Sequence, residues 1–563
     1  MCGLLAILET PDSKAPAPSH AQRAEQLIDR LTHRGPDERG TLALDHAWLG
    51  HRRLAIVSPE SGQQPIAHDP VAWVSNSEIY NHKALRTLCD SVPTSTCDSA
   101  VIGPVLAKFG IEGIAKLHGQ FALVVQHTDS PDWIAARDHM GICPLYIGHH
   151  ADGTLWFASE MKALIDDCDR VELVEPGTAW VRDKQGVRCV RWYTPEWMHE
   201  TPKTPADHTA LRDTLIRAVE MRMMGDVLWG VLLSGGLDSS LVASIANRAS
   251  IRAGYGPIHT FAIGLDGSPD LDCARQAASF LGTQHHEFRF TTEEALEALP
   301  TVLEHLESDQ QVRTAVPTYL LARCVRAMGF KMVLSGEGAD EIFAGYLYFH
   351  KAPSPEALHQ ETVRKVTRLH QYDVMRANKA PMAFGLELRF PFLDRDLIDH
   401  TMSIRPADRA PAPRMPGQRP TEKRLLRAAF DDAQSPWLPE SILWRQKEQF
   451  SDGVGYGWVD TLRAHAARLV DAESLAGAAE RFPEGTPPNA EMYWMRELFE
   501  ERFVHGRRSG RSPLRTLGGG ASIACSTPEA LDWDPSWKAL AGDISGRTIV
   551  DIHDAQADLH DCA

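Results

Sequence analysis

The sequence predicts two successive folds: an N-terminal α+β domain built mainly on antiparallel sheet, then an α/β domain on a parallel sheet with a helical C-terminal part. Three observations lead there. The chain has 563 residues, too many for a single hydrophobic core. Up to Tyr193 it reads as short apolar runs separated by Gly, Pro, Asp and Asn, the grammar of strands joined by tight turns. From about His208 onward strands alternate with amphipathic helices instead, which argues for parallel pairing through crossovers. The expected organisation is a first domain over 1–193, a linker rich in Pro and Thr over 194–207, a second domain over 208–516 and an irregular tail over 517–563.

Within the first domain, strands are predicted at 41–44, 54–57, 71–75, 121–126, 133–136 and 155–158, with helical periodicity at 21–32 and 99–109. After the linker come a helix over 208–224, a strand over 227–233, a Gly-Gly turn and a helix over 239–249. Further strands fall at 259–265 and 331–334, with helical stretches between them. Beyond residue 350 the chain reads as mostly helical, broken by a Pro-rich stretch at 405–420. A formal charge of −17 argues against a general nucleic-acid surface, so small-molecule substrates are expected. No apolar run approaches transmembrane length, and the first residues lack the pattern of a secretory signal. The ten cysteines are scattered without CxxC pairs and read as reduced thiols, which places the protein in the cytoplasm.

Two places carry chemistry. Cys2 follows the initiator methionine, and removing Met1 would put a thiol and an α-amino group on one terminal residue, nucleophile and base together near neutrality. A buried cysteine at the start of a strand is the plain alternative. The string Leu232-Leu233-Ser234-Gly235-Gly236-Leu237-Asp238-Ser239-Ser240 runs from a strand into a helix across two glycines. Such a turn lets backbone amides and a helix N-terminus approach an oxyanion, so it reads as a phosphate cradle without the lysine of a Walker loop. A second cluster, Ser335-Gly336-Glu337-Gly338-Ala339-Asp340-Glu341, also follows an apolar strand and brings together three acids that need a cation, with Mg²⁺ the expected one. In a parallel sheet both loops emerge at the carboxyl edge, where ligands bind at a switch in strand order.

These residues also carry a resemblance. Cys2-Gly3, the run from His33 to Asp37, the run from His51 to Val57, and the run from Asn76 to His82 resemble the glutaminase domain of class II amidotransferases. The Ser234–Ser240 string resembles the pyrophosphate loop of ATP pyrophosphatases. Both in this order, with the Ser335 cluster and the stretches starting at Gly345 and Trp444, are similar to the glutamine-dependent asparagine synthetase family over nearly the whole chain. The resemblance implies a four-layer N-terminal nucleophile hydrolase fold for the first domain, with Cys2 attacking the amide of L-glutamine. It further implies an oxyanion hole from Asn76 and the N–H of Ser77, and a glutamine site from Arg53, Leu54, Ala55, Ile56, Val57, Asn76, Ser77, Glu78 and Asp98. In the second domain it implies ATP binding by Leu232, Ser234, Gly235, Gly236, Asp238, Ser239, Ile263, Ser335 and Gly336, with Mg²⁺ held by Asp238 and Asp340. Glu337 would assist formation of an acyl-adenylate on L-aspartate, while Arg313 and Lys447 meet phosphate or substrate charge. A homodimer is the assembly expected alongside.

Two departures from the family pattern bear on these expectations. Ser77 stands where the family has glycine, and a serine forced to positive φ would cost on the order of a kcal/mol. Before Arg313 the chain has Gln310-Gln311-Val312 where relatives carry short hydroxyl side chains. The competing expectation is a ligase that adenylates another small carboxylic acid.

Overall fold

The first twelve strands form two antiparallel sheets that face one another. They are β1 (Gly3–Leu8), β2 (Glu38–Ala43), β3 (Ala47–Arg53), β4 (Ile66–His68), β5 (Val71–Ile79), β6 (Gly119–His127), β7 (Trp133–Arg137), β8 (Tyr146–His149), β9 (Leu155–Ala158), β10 (Arg170–Leu173), β11 (Thr178–Asp183) and β12 (Gly186–Arg191). One sheet has the order β10-β8-β9-β1-β3-β2, the other β12-β11-β7-β6-β5-β4. The structure is a computed structural model and describes residues 1–448, 450–455 and 457–504, with residues 530, 532–535 and 537 of the tail.

Strand periodicity explains the layers. On β5 and β6 the small or branched residues Ala72, Val74, Ala122 and Val124 join the core shared with β1, whereas Trp73, Phe121, Leu123 and Val125 join a separate cluster with Val101, Ile102 and Val105. Each side of this sheet is therefore buried, one against the other sheet and one against the helix Ile102–Phe109. That helix approaches closely because Gly103 lies over Trp73, where a Cβ would fall 2.2 Å from the indole. The helix Ala21–Ile28 covers β1 and β3 on the opposite outer face. Helix, sheet, sheet and helix make the four layers that the resemblance implied.

The segment 194–207 is strapped down. Trp197 is buried, and its Nε1 donates to Asp399 Oδ1 at 2.9 Å, an oxygen that also accepts from the Tyr193 hydroxyl at 2.5 Å. Thr204 forms a parallel bridge with Ile404. Asp207 then caps the helix His208–Arg222 by accepting from Thr209 and Ala210.

The second sheet system contains β13 (Trp229–Leu232), β14 (His259–Gly264), β15 (Gln284–Arg289), β16 (Met332–Leu334) and β17 (Glu387–Arg389), in the order β15-β14-β13-β16-β17. All four pairings are parallel. Strand order reverses between β13 and β16, so the loops after these two strands flank the switch point. The helix Leu237–Arg252 leaves the first of these loops, and the mostly helical remainder wraps the sheet. A buried apolar cluster continues from Leu4 and Leu5 of β1 to Val333 and Leu334 of β16, so the two halves share one core.

The strand expected at 54–57 does not form, since β3 ends at Arg53 and those residues lie in the loop beyond it, and two strands of the parallel sheet lie outside the sequence reading. β15 spells Gln-His-His-Glu-Phe-Arg and β17 spells Glu-Leu-Arg, both too polar to register as apolar runs. They lie at the sheet's two edges, where backbone pairing on one side suffices. The Pro-rich stretch at 405–420 contains a two-residue bridge, Ala412–Pro413 with Pro420–Thr421. The tail expected over 517–563 falls outside the described residues apart from those named above, of which Ala530, Trp533 and Trp537 pack against Leu347, Tyr348 and Phe349.

Candidate active sites

Cys2 sits at the entrance to β1, the strand between β9 and β3, and faces β5 of the other sheet. Its backbone N–H donates to Asn76 Oδ1 at 2.7 Å, and its Sγ lies 3.4 Å from the N–H of Leu54. Asn76 Nδ2 is buried and has no hydrogen-bond partner. An unsatisfied buried amide beside a thiol is costly in itself and is an arrangement that an oxyanion would complete. Burial pushes the Cys2 thiol above its ordinary pKa, only partly offset by the chain's terminal ammonium. In this chain the ammonium belongs to Met1, which is buried and paired with Glu387.

The run from His33 to Asp37 has structural work the sequence did not specify. Arg34 donates to the Cys2 carbonyl at 3.0 Å and pairs with Glu160 at 2.9 Å, while its third contact, Asn378 at 3.0 Å, lies in the second domain. Asp37 accepts the Ala55 N–H at 2.8 Å and pairs with Lys331 at 2.7 Å.

Of the expected glutamine-site residues, Asn76, Ser77 and Glu78 lie together on β5, and Asp98 Oδ2 accepts the N–H of Ile79 at the end of that strand at 2.7 Å. Arg53 ends β3 and donates to the carbonyls of Ser58 at 2.8 Å and Pro59 at 3.0 Å, as well as to Glu38 at 3.0 Å. It thereby braces the loop that follows Leu54, Ala55, Ile56 and Val57. Ser77 is paired opposite Phe121 and is not among the described non-glycine residues with positive φ. The strain that a glycine-to-serine change could have introduced is absent.

The second region is a cleft at the carboxyl edge of the parallel sheet. Leu232, Ser234, Gly236, Asp238, Ser239, Ile263, Ser335, Gly336, Glu337, Asp340 and Lys447 all line it. Gly235 stands behind them with φ +76°, and a Cβ there would strike the Ala274 backbone at 2.4 Å. Gly336 is what allows the two loops to touch, since its Cβ would lie 2.6 Å from the backbone nitrogen of Ser239. Gly236 is the N-cap of the helix Leu237–Arg252 without any side-chain cap, so the first helical N–H groups are not claimed by a capping side chain.

Charge in the cleft is arranged around a lysine that sequence reasoning missed. Lys423, buried and at φ +55°, spans Asp238 and Asp340, the latter at 2.6 Å. Lys447 lies 3.3 Å from Asp340. Burial alone would depress the Lys447 ammonium, but Asp340 and Asp238 outweigh it and hold it charged above its usual range. Asp238 Oδ1 is buried and lacks a hydrogen-bond partner, an acceptor suited to a cation. Glu337 pairs with Arg376 at 2.8 Å, a second residue the sequence did not single out. No spacing pattern marks either Lys423 or Arg376; each arrives from a distant helical segment through tertiary packing.

Arg313 departs from expectation. Its guanidinium is forked onto Glu491, at 2.7 and 2.6 Å, in a recess beside the cleft that Gln310 also lines. Gln311 and Thr314 line both the recess and the cleft. Gln311 adopts φ +59°, a conformation that costs about 1–2 kcal/mol in an L-residue and is seen where surroundings impose it.

A buried ionic chain connects the two regions. Arg389 of β17 pairs with Glu78 of β5 at 2.6 Å and with Glu387 at 2.7 Å. The backbone carbonyl of the same Arg389 accepts the N–H of Ser335 at 2.9 Å, where the acidic loop begins.

Comparison with known proteins agrees with this division. Residues 1–179 match the family model described as a glutamine amidotransferase domain, and residues 210–356 and 352–515 match the one described as asparagine synthase. Asparagine synthetase [glutamine-hydrolyzing] 3 of Arabidopsis thaliana is 46% identical over 566 residues, covering 98% of this chain and 95% of that protein. Asparagine synthetase [glutamine-hydrolyzing] of Asparagus officinalis is 45% identical over 571 residues, covering 99% and 94%.

Two outcomes follow from the geometry. Because Ser77 sits in unstrained strand backbone, Ser77→Gly should leave glutaminase turnover within about tenfold, less than ~1.4 kcal/mol of barrier, in a steady-state glutamate assay. A hundredfold gain would show that the serine obstructs the site. Glu341, behind Asp340, is pushed up to about 8 by burial, with Asp373 and Asp340 adding to the shift. A carboxyl raised in the folded state stabilises fully below its unfolded pKa of about 4.3 and loses that contribution as pH rises toward the folded value. Thermal unfolding should therefore show the wild type losing stability between pH ~5 and ~8 relative to Glu341→Gln. Parallel curves for the two proteins would refute a neutral Glu341.

Proposed function

The chain belongs to the family of glutamine-hydrolysing asparagine synthetases, and from that premise we propose how its residues divide the work. The reaction is the ATP-dependent synthesis of L-asparagine from L-aspartate through a β-aspartyl-AMP intermediate, with ammonia drawn from L-glutamine and with AMP, pyrophosphate and glutamate as the other products. The observation that carries the assignment is the pairing of Cys2 with Asn76 in one domain and of two phosphate-facing loops in the other, within a single continuous core.

Removal of Met1 makes the nitrogen that now donates to Asn76 Oδ1 the free α-amino group of Cys2, already oriented beside its own thiol. That amine takes the thiol proton, Sγ attacks the glutamine amide carbon, the C–N bond breaks as the proton passes to the departing ammonia, and water then hydrolyses the glutamyl thioester to glutamate and free thiol. Asn76 Nδ2, buried with no other partner, and the N–H of Ser77 receive the oxyanion. Glu78 and Asp98 face the substrate ammonium. Arg53 offers its guanidinium to the substrate carboxylate, which would take the place of loop carbonyls that it now holds.

In the cleft, Leu232 and Ile263 give the apolar contact for adenine, and Ser234, Gly235, Gly236 and Ser239 hold the pyrophosphate at the helix N-terminus. Asp238 and Asp340 would hold Mg²⁺, and the orphaned Asp238 Oδ1 fits that reading; bound there, the ion would neutralise the leaving pyrophosphate. Lys423 and Lys447 keep the same carboxylates compensated and meet the phosphate oxygens. Glu337, positioned by Arg376, faces the activated acyl group, and Ser335 and Gly336 close the wall around AMP. Arg313 and Gln311 shape the acceptor end through the recess they share with Glu491.

The proposal extends to place and assembly. All eight cysteines among the described residues are free, which suits the cytoplasm. No helix among the described residues is long and apolar enough to cross a membrane. A homodimer is retained on the family resemblance alone.

Cys2→Ala should abolish glutamine-dependent asparagine formation and leave ammonia-dependent formation within about twofold, since the lost group takes part only in releasing ammonia. Equal loss of both activities would overturn the two-site assignment. Asp238→Asn should lower aspartate-dependent ATP–pyrophosphate exchange by at least about 100-fold while sparing basal glutaminase, because one carboxylate leaves the phosphate cradle. Exchange that persists in that variant would remove Asp238 from the metal site.

A further inference from the structure

Away from both catalytic regions, two imidazoles and a carboxylate converge on the N-terminal domain. His20 ends the short turn Ala17–His20 that leads into the helix Ala21–Ile28, and His150 and Asp152 lie in the hairpin between β8 and β9. His20 Nε2 is 2.6 Å from Asp152 Oδ2, and His150 Nδ1 is 2.8 Å from Asp152 Oδ1. One ligand atom from each of the three residues falls within 4.8 Å of the others.

We propose that these residues form a zinc site, with His20, His150 and Asp152 as ligands and water in the fourth position. Two imidazole nitrogens and one oxygen are a donor set for Zn²⁺ and its transition-metal neighbours, not for Mg²⁺ or Ca²⁺, which take oxygen ligands. Tetrahedral binding at about 2.1 Å separates ligand atoms by roughly 3.4 Å, so each nitrogen–oxygen contact, made to a different oxygen of Asp152, opens by less than about 1 Å while all three ligand atoms already lie within 4.8 Å of one another. Zinc would take the lone pair of each inward nitrogen, so binding exchanges the His20 and His150 contacts with the Asp152 carboxylate, and the 3.3 Å contact of the Asp152 N–H with His150 Nδ1, for bonds to the ion.

The site is held in place before any ion arrives. Asp152 Oδ1 accepts from the Thr154 hydroxyl at 2.7 Å and from the Thr154 N–H at 3.0 Å. That hydroxyl in turn accepts from Trp156 Nε1 at 3.0 Å. The His150 ring lies stacked on Trp156, 5.2 Å between centroids and 7° from parallel. Such outer contacts orient metal ligands and raise affinity. The three side chains are 15–20% exposed, which leaves access for an ion and room for water. A second grouping, His118 with Asp394 and Asp396, differs decisively, because Arg222 already occupies the Asp394 oxygen at 2.8 Å. Bound zinc would clip the segment ahead of the helix Ala21–Ile28 to the β8–β9 hairpin.

The full-length protein, stripped of metal, is titrated with Co²⁺ and then with Zn²⁺. A single equivalent of tetrahedral Co²⁺ is expected, without the near-ultraviolet thiolate band that a cysteine site would give, displaced by Zn²⁺ and accompanied by a higher unfolding temperature. His20→Gln and Asp152→Asn should each abolish this spectrum, and Thr154→Val, which keeps every ligand, should weaken binding about 10–100-fold. All three variants should retain asparagine synthesis. A Co²⁺ spectrum unchanged in His20→Gln, a thiolate band, or no stoichiometric binding by the wild type would overturn the proposal.

Discussion

The structure depends most on one buried cation, the Arg389 guanidinium held between Glu78 and Glu387. Arg389 and Glu387 are fully buried and Glu78 nearly so, so each charge is tolerable only while the others are in place. Burial raises the Glu78 carboxyl, and Arg389 works against that rise. Removing one member of such a set typically costs about 3–5 kcal/mol, because it strands the rest. The same arginine fixes the sandwich that carries Cys2 to the parallel sheet and, through its carbonyl, anchors Ser335. Position of the glutaminase strand and position of the acidic loop are thus one constraint.

Around that tie the interface is polar and specific. Arg34 reaches Asn378, Glu307 accepts the N–H groups of Met161 at 2.8 Å and Lys162 at 2.7 Å, and His118 pairs with Asp394 at 2.8 Å. Glu307 is itself matched to Lys379 at 2.6 Å with both side chains fully buried. Each contact needs a defined orientation of both domains, which a purely apolar seam would not enforce. Backbone strain collects nearby: of the five described non-glycine residues with positive φ, Gln311 and Lys423 line the cleft or the recess beside it.

Much of this was legible in the chain, for identifiable reasons. The Cys2 terminus, the Ser234–Ser239 loop and the Ser335 cluster are local strings whose chemistry depends on consecutive residues, and the cleft brings most of the two loops together while Cys2 lies apart beside Asn76. The strands at β5, β6 and β14 announce themselves by apolar runs. β15 and β17 do not, since an edge strand can be polar, and β17 is charged because it forms the domain interface. Lys423, Arg376 and Arg389 were invisible for a related reason: a single basic residue in a helical or short extended stretch carries no period, and only folding reveals which acid it meets. Arg313 was expected to meet phosphate or substrate charge, and the partner it has instead, Glu491, 178 residues away, leaves no local signal in the sequence.

The strap formed by residues 194–207 bears on what covalent continuity contributes to this chain. Its anchors, Tyr193 and Trp197 on Asp399 and Thr204 on Ile404, are pinned to the second domain, while the domains also meet through Arg389, Arg34 and Glu307, none of which the strap carries. Peptide continuity at this point therefore adds to a register that the buried side chains of the interface already enforce. The join also holds the halves at equal numbers and at high effective concentration during folding.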